Sequence, residues 1–518
     1  MKKPLGAVAA GHTLTVEAAA SVLKEGGNAF DAVVAAQFAA FVAEPVLTSP
    51  GGGGFLFADT GNQQMVYDFF VQTPLLKADP ISLDFHPIEA DFGEARQEYH
   101  IGAGSIATPG VIRGLFDMHR ELCSMPIGRL TEPAIEVARN GVEMNLFQSS
   151  IFDIIRPIYR SSAEAMKIFG SKASPGHLIR EGERLKQPEL ANFLEDLVRE
   201  GDRLFYDGEI AEKVARLSRE RGGHITRRDF SEYQTIKRKP LQIGYRGHQI
   251  SINPPPATGG MLISFGLKLM EMPRKTTVEF GSRNHINLLL EVQRVTESAR
   301  VDVMAGDLKS LETILDEQML KTYRNKILGR LKAYKGTTQI SVIDAKGNRA
   351  SLTSSNGEGS GVMVPEAGIM LNNMLGEQDL NPGGFHSWET DQRLSSMMAP
   401  GVLTMADGRR IVFGSGGSNG IRTALLQVLS NLMDHEMSLE GAVNAPRLHF
   451  ENGKLNAETG LDVSAVEALK QSCHERKIWK EKSLFFGGAH SVCEGADGFS
   501  GAGDERRGGK AKVVYSGS

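Results

Sequence analysis

The sequence predicts a mixed α+β fold in which the whole chain forms one interlocked body. Patterns typical of helices dominate residues 110–220, whereas the alternation typical of strands becomes prominent after residue 336. No Pro- or Ser-rich linker and no repeat of fixed period divides the 518 residues. Glycine is the unusual component, at 58 residues or about 11% against a usual ~7%, and its runs indicate special backbone sites.

Two helices are predicted near the start of the chain. The first covers Thr15–Glu25, is rich in alanine and glutamate, and ends at Gly26-Gly27. Asn28 can then cap a second helix, with Asp31 in its first turn, that continues as far as Pro45. The many alanines of this second helix indicate close packing against a flat surface.

The rest of the chain alternates between the two kinds of element. The predicted order is strands at 55–58 and 65–70 after the Gly51–Gly54 run, helices within 110–220 including 133–140 and 188–200, strands within 240–255, and a helix at 284–299. After residue 336, strands are predicted at 337–343, 349–355, 361–364 and 410–413, with a hairpin turn at 344–348. A helix with one apolar stripe follows at Ile421–Met433.

Charge and cysteine content exclude several classes of protein. Lys and Arg number 58 against 62 Asp and Glu, and this net charge of −4 is too balanced for a surface that binds nucleic acid. Three widely separated cysteines exclude a disulfide framework and cysteine-based metal or redox sites. The apolar runs are too short for a membrane span, and the one after Lys3 is too short for a signal peptide. We therefore expect a cytoplasmic protein without a membrane partner.

Gly336-Thr337-Thr338 opens a strand late in the chain and is open to two interpretations. Threonine favours strands, so the pair can be purely structural. Alternatively, cleavage of the Gly336–Thr337 bond would give Thr337 a free α-amine beside its hydroxyl. Because that amine has a reference pKa near 7.7–8.0, it can act as the base for its own Oγ without a separate histidine.

The glycine-rich loop Gly414–Gly420 lies between a predicted strand and a predicted helix, and three interpretations compete. It can be a turn that simply needs glycine. It can be a nest of backbone amides at a helix N-terminus, suited to an anion or an oxyanion. It can also be the nucleophile elbow of an α/β-hydrolase centred on Ser418, with His449 or His490 as a partner. The elbow would come late in the chain, without the run of βα units that this fold requires.

Further polar residues cluster near apolar strands. Ser395 and Ser396 follow Arg393, and Glu377 follows an Asn-Asn pair; each also suits an ordinary surface or capping role. The chain has no HExxH motif and its thirteen histidines are scattered, so we predict no metal. Gly357-x-Gly359-x-Gly361 does not match a dinucleotide fingerprint, so we predict no cofactor.

Taken together, segments along almost the whole chain resemble the γ-glutamyltransferase family of N-terminal-nucleophile hydrolases. Single motifs are weak, but about ten in collinear order are specific. The matching segments are Ala9–His12, Gly26–Ala32, Gly51–Phe55, Phe205–Gly208, Pro254–Gly260, Gly336–Gln339, Leu371–Asn373, Leu394–Met397, Gly414–Ser418, Asn444–Arg447 and Gly501–Asp504 with Arg506.

The resemblance implies a four-layer αββα sandwich and self-cleavage before Thr337. Residues 1–336 would form a large segment and 337–518 a small one, and the two would interlock as one body. Thr337 would be the nucleophile, with Ser355 as its partner on the next strand. Backbone amides of Gly416 and Gly417 would form the oxyanion hole.

The resemblance also implies a pocket for a γ-glutamyl group. Ser395 and Ser396 would bind its α-carboxylate, and Glu377 stands where the family has an aspartate for the α-amine. This chain departs from the family at several positions, among them Gln339, which stands where the family has a histidine. Phe70 replaces an arginine that clamps the carboxylate, Met374 replaces a glutamine, and the asparagine of the strand end is displaced to Asn356. An apolar ring does not replace the bidentate fork of arginine.

We therefore expect a self-processing amidohydrolase that acts on γ-glutamyl amides such as glutathione and passes the acyl group to water or an amino acid. An acylase with the same nucleophile and a less polar acyl group, like the cephalosporin acylases of the family, is the alternative that Phe70 and Met374 favour. A third hypothesis is a relative that never matures and serves as a scaffold or binding protein.

Overall fold

The computed structural model describes residues 2–91, 96–271, 278–304, 315, 336–381, 383–471 and 473–517. Two antiparallel sheets form its centre. The first has seven strands in the order Lys510–Tyr515, Pro4–Ala10, Thr338–Asp344, Arg349–Ser355, Gly53–Asp59, Gln64–Phe69 and Ile236–Arg238. The second has six in the order Gly498–Ala502, Ser491–Gly495, Arg410–Phe413, Gly401–Thr404, His248–Ile252 and Leu241–Tyr245.

The two predicted segments of the chain share the first sheet. Strand Pro4–Ala10 lies between Thr338–Asp344 and Lys510–Tyr515 and is antiparallel to both. On the other side, Arg349–Ser355 pairs with Gly53–Asp59. Strands from before and after residue 336 are therefore interleaved in one hydrogen-bonded sheet.

Alternation along the strands divides the core into two parts. Val8 and Ala10 lie in one hydrophobic cluster with the helices that cover the first sheet, whereas Ala7 and Ala9 lie in another cluster with the strands of the second sheet. Since successive side chains point to opposite faces of a strand, the first sheet is buried on both faces. One face meets helices and the other meets the second sheet.

Helices cover these sheets. They span Thr13–Lys24, Ala29–Ala43, Val111–Leu122, Ile127–Asn140, Leu146–Ile154, Arg156–Arg160, Ala163–Phe169, Pro188–Glu200, Arg203–Tyr206, Glu209–Arg221, Arg227–Glu232, Thr258–Met270, Arg283–Met304, Gly420–Met433, Leu439–Asn444 and Val463–Glu467. Short 3₁₀ turns lie at Pro80–Ser82, Ala103–Ser105, Met374–Gly376, Ala468–Gln471, Leu484–Phe486 and Glu505–Arg507. No helix within the described ranges is both long and apolar enough to cross a membrane.

The helix Ala29–Ala43 confirms the prediction made from its alanines. Asn28 caps it, because the side chain of Asn28 accepts from the amides of Phe30 and Asp31 while the Asp31 carboxylate accepts from the Asn28 amide. All fifteen residues of the helix are buried. It packs against the strands Thr338–Asp344 and Arg349–Ser355, which carry the predicted active site. Small side chains permit this close approach.

Several predicted boundaries were wrong by a few residues. The helix predicted from Pro133 begins at Ile127, and the strand predicted over 361–364 is only Met363–Val364. The remaining strands are short: His86–Asp91 with Arg96–Ile101, Val142–Glu143 with Arg184–Leu185, Met363–Val364 with Ile369–Met370, Ser415–Gly416 with Gly488–Ala489, and Leu448–Glu451, Lys454–Ala457 and Glu475–Ile478 in one sheet.

Candidate active site

Strand register brings Thr337 and Ser355 together. Thr338 pairs with Ser354 across the two central strands of the first sheet, so Thr337 and Ser355 lie opposite one another just beyond that pair. Both are 3% exposed. The predicted nucleophile and its predicted partner therefore occupy the same buried end of a strand pair.

Both hydroxyls point at the carbonyl of Gly336. Thr337 Oγ1 lies 2.8 Å from the Gly336 oxygen and Ser355 Oγ lies 2.5 Å from it, and both donate to it. The hydrogen bond from Ser355 polarises the carbonyl and makes its carbon a better electrophile. The bond that the sequence singles out for cleavage is thus the one whose carbonyl is activated.

The second threonine of the pair faces a different partner. Thr338 Oγ1 donates to Glu44 at 2.6 Å, and Thr15 Oγ1 donates to the other oxygen of the same carboxyl group at 2.7 Å. Burial raises the pKa of Glu44, although these two hydrogen bonds oppose the rise. Thr338 is therefore held by a buried carboxyl group. Of the two threonines, Thr337 is the one directed to the carbonyl of Gly336.

The glycine-rich loop approaches Thr337 closely enough to exclude side chains. A Cβ added to Gly416 would lie 2.3 Å from the carbonyl oxygen of Thr337, and Gly417 has a φ of +114° that favours glycine. Gly416 ends the short strand Ser415–Gly416, and the helix Gly420–Met433 begins just beyond the loop. The loop backbone thus lies against the predicted nucleophile.

A pocket opens from Thr337. The lining contains Thr337 and Ser355, further polar side chains and several apolar side chains. The lining residues are Phe70, Thr258, Arg300, Thr337, Ser355, Met374, Glu377, Asp379, Leu380, Ser395, Ser396, Met397, Met398, Ser418, Asn419 and Ile421. Most of the site residues predicted from sequence therefore meet at one place.

Phe70 and Met374 form part of the apolar wall. Phe70 is 1% exposed and stacks on Phe55, with ring centroids 5.4 Å apart and planes 19° apart. Met374 is equally buried. Phe70 and Met374, two of the positions at which the sequence is expected to depart from the family, therefore line the pocket with apolar side chains.

Three predicted polar residues also reach the pocket. The Ser395 hydroxyl donates to the carbonyl of Pro256 at 2.9 Å, while Ser396 Oγ accepts from the Met398 amide at 3.1 Å. The Ser396 hydroxyl therefore keeps its own proton for a donated hydrogen bond. The Glu377 side chain lies against Gly357, because a Cβ added to Gly357 would fall 2.2 Å from Glu377 Oε1.

Two other predictions are less well supported. Asn356 does not line the pocket among the described residues, although it directly follows Ser355. Ser418 does line it and has the positive φ of +51° expected of an elbow. However, the His449 ring bonds to Thr423 and Glu451, and His490 Nδ1 accepts from the Asp504 amide. The hydrogen bonds of these two histidines do not assemble a triad around Ser418.

The structure adds a charged group that sequence reasoning missed. Arg300 lines the pocket and lies 3.6 Å from Asp379 and 3.2 Å from Glu451, all nearly buried. Asn419 donates to both carboxylates, at 3.1 and 2.7 Å. Asp379 follows Glu377 by two residues and could have been suspected from that spacing. Arg300 belongs to no recognisable sequence motif. It reaches the pocket because the fold places its helix there.

Comparison with known proteins agrees with this geometry. The family model described as "Gamma-glutamyltranspeptidase" matches residues 15–514. The chain belongs to the γ-glutamyltranspeptidase family. The resemblance predicted from short motifs is thereby confirmed over nearly the whole length.

Relatives in this family carry two kinds of name. The chain is 28% identical to a glutathione hydrolase proenzyme of Escherichia coli, over 97% of this chain and 90% of that protein. It is 29% identical to an acylase ACY 1 proenzyme of Pseudomonas sp. (strain V22), over 96% of this chain and 92% of the relative. Sequence identity alone does not separate the two names.

Solved structures show the same fold. A cephalosporin acylase from Bacillus halodurans superposes with a TM-score of 0.85 over 100% of this chain and 97% of that one, at 22% identity. A γ-glutamyltranspeptidase from Helicobacter pylori gives a TM-score of 0.53 over 62% of this chain and 91% of that chain, at 27% identity. The first likeness establishes the fold alone.

Proposed function

We propose that this protein is a self-processing amidohydrolase that cuts its own chain between Gly336 and Thr337 and then uses Thr337 as an N-terminal nucleophile. The observation that carries the proposal is the placement of the Thr337 and Ser355 hydroxyls on the Gly336 carbonyl, beside the Gly416 loop and at the head of a pocket. A purely structural Thr-Thr pair does not require this arrangement.

Self-cleavage would follow from that placement. Thr337 Oγ attacks the Gly336 carbonyl carbon, the C–N bond to Thr337 breaks, and the hydroxyl proton passes to the departing nitrogen. The resulting ester between Gly336 and Thr337 Oγ is then hydrolysed by water. The products are a Gly336 carboxylic acid and a Thr337 residue that carries both a hydroxyl and a free amine.

The mature site would transfer acyl groups by the same chemistry. The α-amine of Thr337 accepts the proton of its Oγ, which attacks the substrate amide, and the amine leaving group departs protonated. Backbone amides of Gly416 and Gly417 stabilise the tetrahedral oxyanion. Water or an amino acid then attacks the acyl-enzyme and releases Thr337 for another cycle.

The two segments are proposed to stay together after cleavage. Strand Pro4–Ala10 of the large segment is hydrogen-bonded between two strands of residues 337–518, so separation would break the first sheet. The helices on both sides of the paired sheets support the four-layer αββα arrangement that the family resemblance implies.

A γ-glutamyl amide is the proposed substrate class. Glu377 supplies a carboxylate for the α-amine of the glutamyl group, and Ser396 has a hydroxyl proton to donate to the α-carboxylate. Both reach the same pocket as Thr337. Glutathione is the simplest compound with this acyl group.

An acylase that takes a less polar acyl group is the second candidate, and one specific observation favours it. The stacked Phe70 and the buried Met374 present an apolar wall where the family has polar groups. A wall of this kind stabilises methylene groups and gives nothing to a carboxylate.

Parallel turnover of two anilides tests the substrate class. γ-Glutamyl anilide and butyryl anilide release the same chromophore, so kcat/KM can be compared directly for one preparation. The γ-glutamyl assignment predicts the larger value for the first. If only the butyryl anilide is turned over, the γ-glutamyl assignment is wrong and the acylase assignment takes its place.

A denaturing gel tests the proposal against a non-catalytic scaffold. Dividing 56.2 kDa in proportion to length predicts bands of roughly 36 and 20 kDa. Thr337→Ala should remain intact and inactive, whereas Ser418→Ala should still split. One intact band from active wild-type protein would remove the proposed chemistry.

A further inference from the structure

The peptide unit before the cleavage site is held by a buried glutamate. The amide of Gly336 donates to Glu358 Oε1 at 2.5 Å. Glu358 is 3% exposed, and its own amide donates to Asn373 Oδ1 at 2.9 Å. A hydrogen bond between buried groups is stronger than one exposed to water. The residue before Thr337 is therefore fixed in orientation by a side chain that the proposed nucleophilic chemistry does not use.

The residue after the cleavage site is held by a buried arginine. Arg507 Nη1 donates to the carbonyl oxygen of Thr337 at 3.2 Å, and Arg507 is 3% exposed. Burial lowers the pKa of Arg507 to about 10, while the carboxylates of Glu358, Asp504 and Glu44 act in the opposite direction. Arg507 therefore carries its charge at neutral pH.

Chain geometry explains how Glu358 reaches this position. Strand Arg349–Ser355 ends at Ser355, and the chain then turns through Gly357 and Gly359, whose φ angles of +64° and +91° suit glycine. The turn returns Glu358 to the bond that Ser355 also contacts. One strand end thus supplies a hydroxyl to the Gly336 carbonyl and a carboxylate to the Gly336 amide.

We propose that Glu358 and Arg507 form a clamp across the Gly336–Thr337 bond and act as positioning residues for self-cleavage. Glu358 fixes the amide of Gly336, and Arg507 fixes the carbonyl of Thr337. With both ends held, the carbonyl of Gly336 between them stays directed at the hydroxyls of Thr337 and Ser355. Holding reacting atoms in this way lowers the entropic part of the barrier. The inference rests on the self-cleavage proposed above. It adds no chemical step, and the same bonds form and break.

The rate of self-cleavage in freshly translated protein tests the clamp. Precursor made in a short cell-free pulse is chased, and its conversion is followed on denaturing gels, with the new N-terminus read by mass spectrometry. Glu358→Gln keeps a hydrogen-bond acceptor at the same reach, whereas Glu358→Asp keeps the charge but is one methylene shorter. Arg507→Met removes the donor. The matched controls are Glu366→Asp, whose carboxylate pairs with Lys213, and Arg409→Met, whose guanidinium pairs with Asp407.

The clamp predicts a definite order of rates. Glu358→Gln should mature within about threefold of wild type, while Glu358→Asp and Arg507→Met should mature about ten- to hundredfold more slowly. Melting temperatures measured in the uncleavable Thr337→Ala background give the structural cost of each change. Slow maturation that merely follows loss of melting temperature would overturn the clamp.

Failure of the clamp and failure of the proposed function give different gels. If wild-type protein does not split before Thr337, the proposed function itself fails. If wild type splits and Thr337→Ala does not, yet Glu358→Asp matures at the wild-type rate, self-cleavage stands and the clamp is wrong. A Glu358→Asp rate above that of Glu358→Gln would also overturn it, because charge and not reach would then govern cleavage.

Discussion

The hydroxyl of Ser355 lies 2.5 Å from the carbonyl oxygen of Gly336, the residue that precedes Thr337. This contact follows from register, since Thr338 pairs with Ser354 and the next residues along each strand meet at the strand ends. A shift of register by one residue would turn the Ser355 side chain to the opposite face of the sheet. The pairing of two strands thus determines which carbonyl is activated.

Removing this hydroxyl should slow both self-cleavage and turnover. We expect Ser355→Ala to reduce the rate of maturation about tenfold or more, because the scissile carbonyl loses the hydroxyl donor that remains on it when Thr337 Oγ attacks. Ser355→Thr, which keeps the hydroxyl, should retain most of the rate. A chase on denaturing gels measures maturation, with exposed Ser500→Ala as the control. Equal rates for Ser355→Ala and wild type would remove Ser355 from the mechanism.

Local signals in the sequence were sufficient for the main elements around this contact. The helix Pro188–Glu200 and the strands Arg349–Ser355 and Arg410–Phe413 match their predicted bounds residue for residue. Proline at a helix start and regular alternation along a strand act over a few residues and are visible in a single sequence. Thr337 and the Gly414–Gly420 loop could be singled out because they lie beside such elements, whereas Ser355 was predicted only from the family resemblance.

Gly416 should not tolerate a side chain. A Cβ at this position would lie 2.3 Å from the carbonyl oxygen of Thr337, so Gly416→Ala must displace the loop or the nucleophile. We expect kcat/KM to fall by about a hundredfold or more, comparable with the loss of an oxyanion-hole donor. Gly244→Ala, whose Cβ has its nearest neighbour at 3.9 Å, is the matched control. Wild-type kinetics for Gly416→Ala would contradict the proposed role of the loop.

Met374 should control the choice of acyl group. Met374→Gln restores a polar side chain to the pocket wall, which helps a glutamyl group and penalises an alkyl chain by leaving an amide unpaired. We expect the ratio of kcat/KM for γ-glutamyl over butyryl anilide to rise about tenfold. Met65→Gln, outside the pocket lining, should leave the ratio unchanged. An unchanged ratio for Met374→Gln would place acyl recognition elsewhere.

Acid should destabilise the fold through buried His490. Burial lowers the pKa of His490 to about 4, against an unfolded value near 6.5. Between these values the unfolded state binds more protons, so the free energy of unfolding falls as pH falls from about 6.5 to about 4. At pH 4.5, His490 alone should account for about 2–3 kcal/mol of this loss.

Thermal unfolding at pH 7 and pH 4.5 measures this effect. His490→Asn keeps an acceptor for the Asp504 amide but does not titrate, so its melting temperature should fall less than that of wild type over the same interval. A wild-type melting temperature that does not change between the two pH values would contradict the assignment.

The two arginines of the site, Arg300 and Arg507, could not be predicted from the sequence. Arg300 comes from the helix Arg283–Met304 and meets Asp379 and Glu451 only through tertiary packing. Arg507 stands beside the motif residue Arg506, yet their roles differ: Arg506 pairs with Glu458 and Asp504, whereas Arg507 contacts Thr337. Contacts between residues that lie far apart along the chain leave no local pattern in one sequence.

Mass spectrometry of the active, purified protein tests the central claim most directly. For wild type we predict two polypeptides, of which the smaller begins with Thr337. For Thr337→Ala we predict a single uncut and inactive polypeptide. Full activity from a preparation in which Gly336 and Thr337 remain joined would contradict the account, because Thr337 would then have no free amine to act as its base.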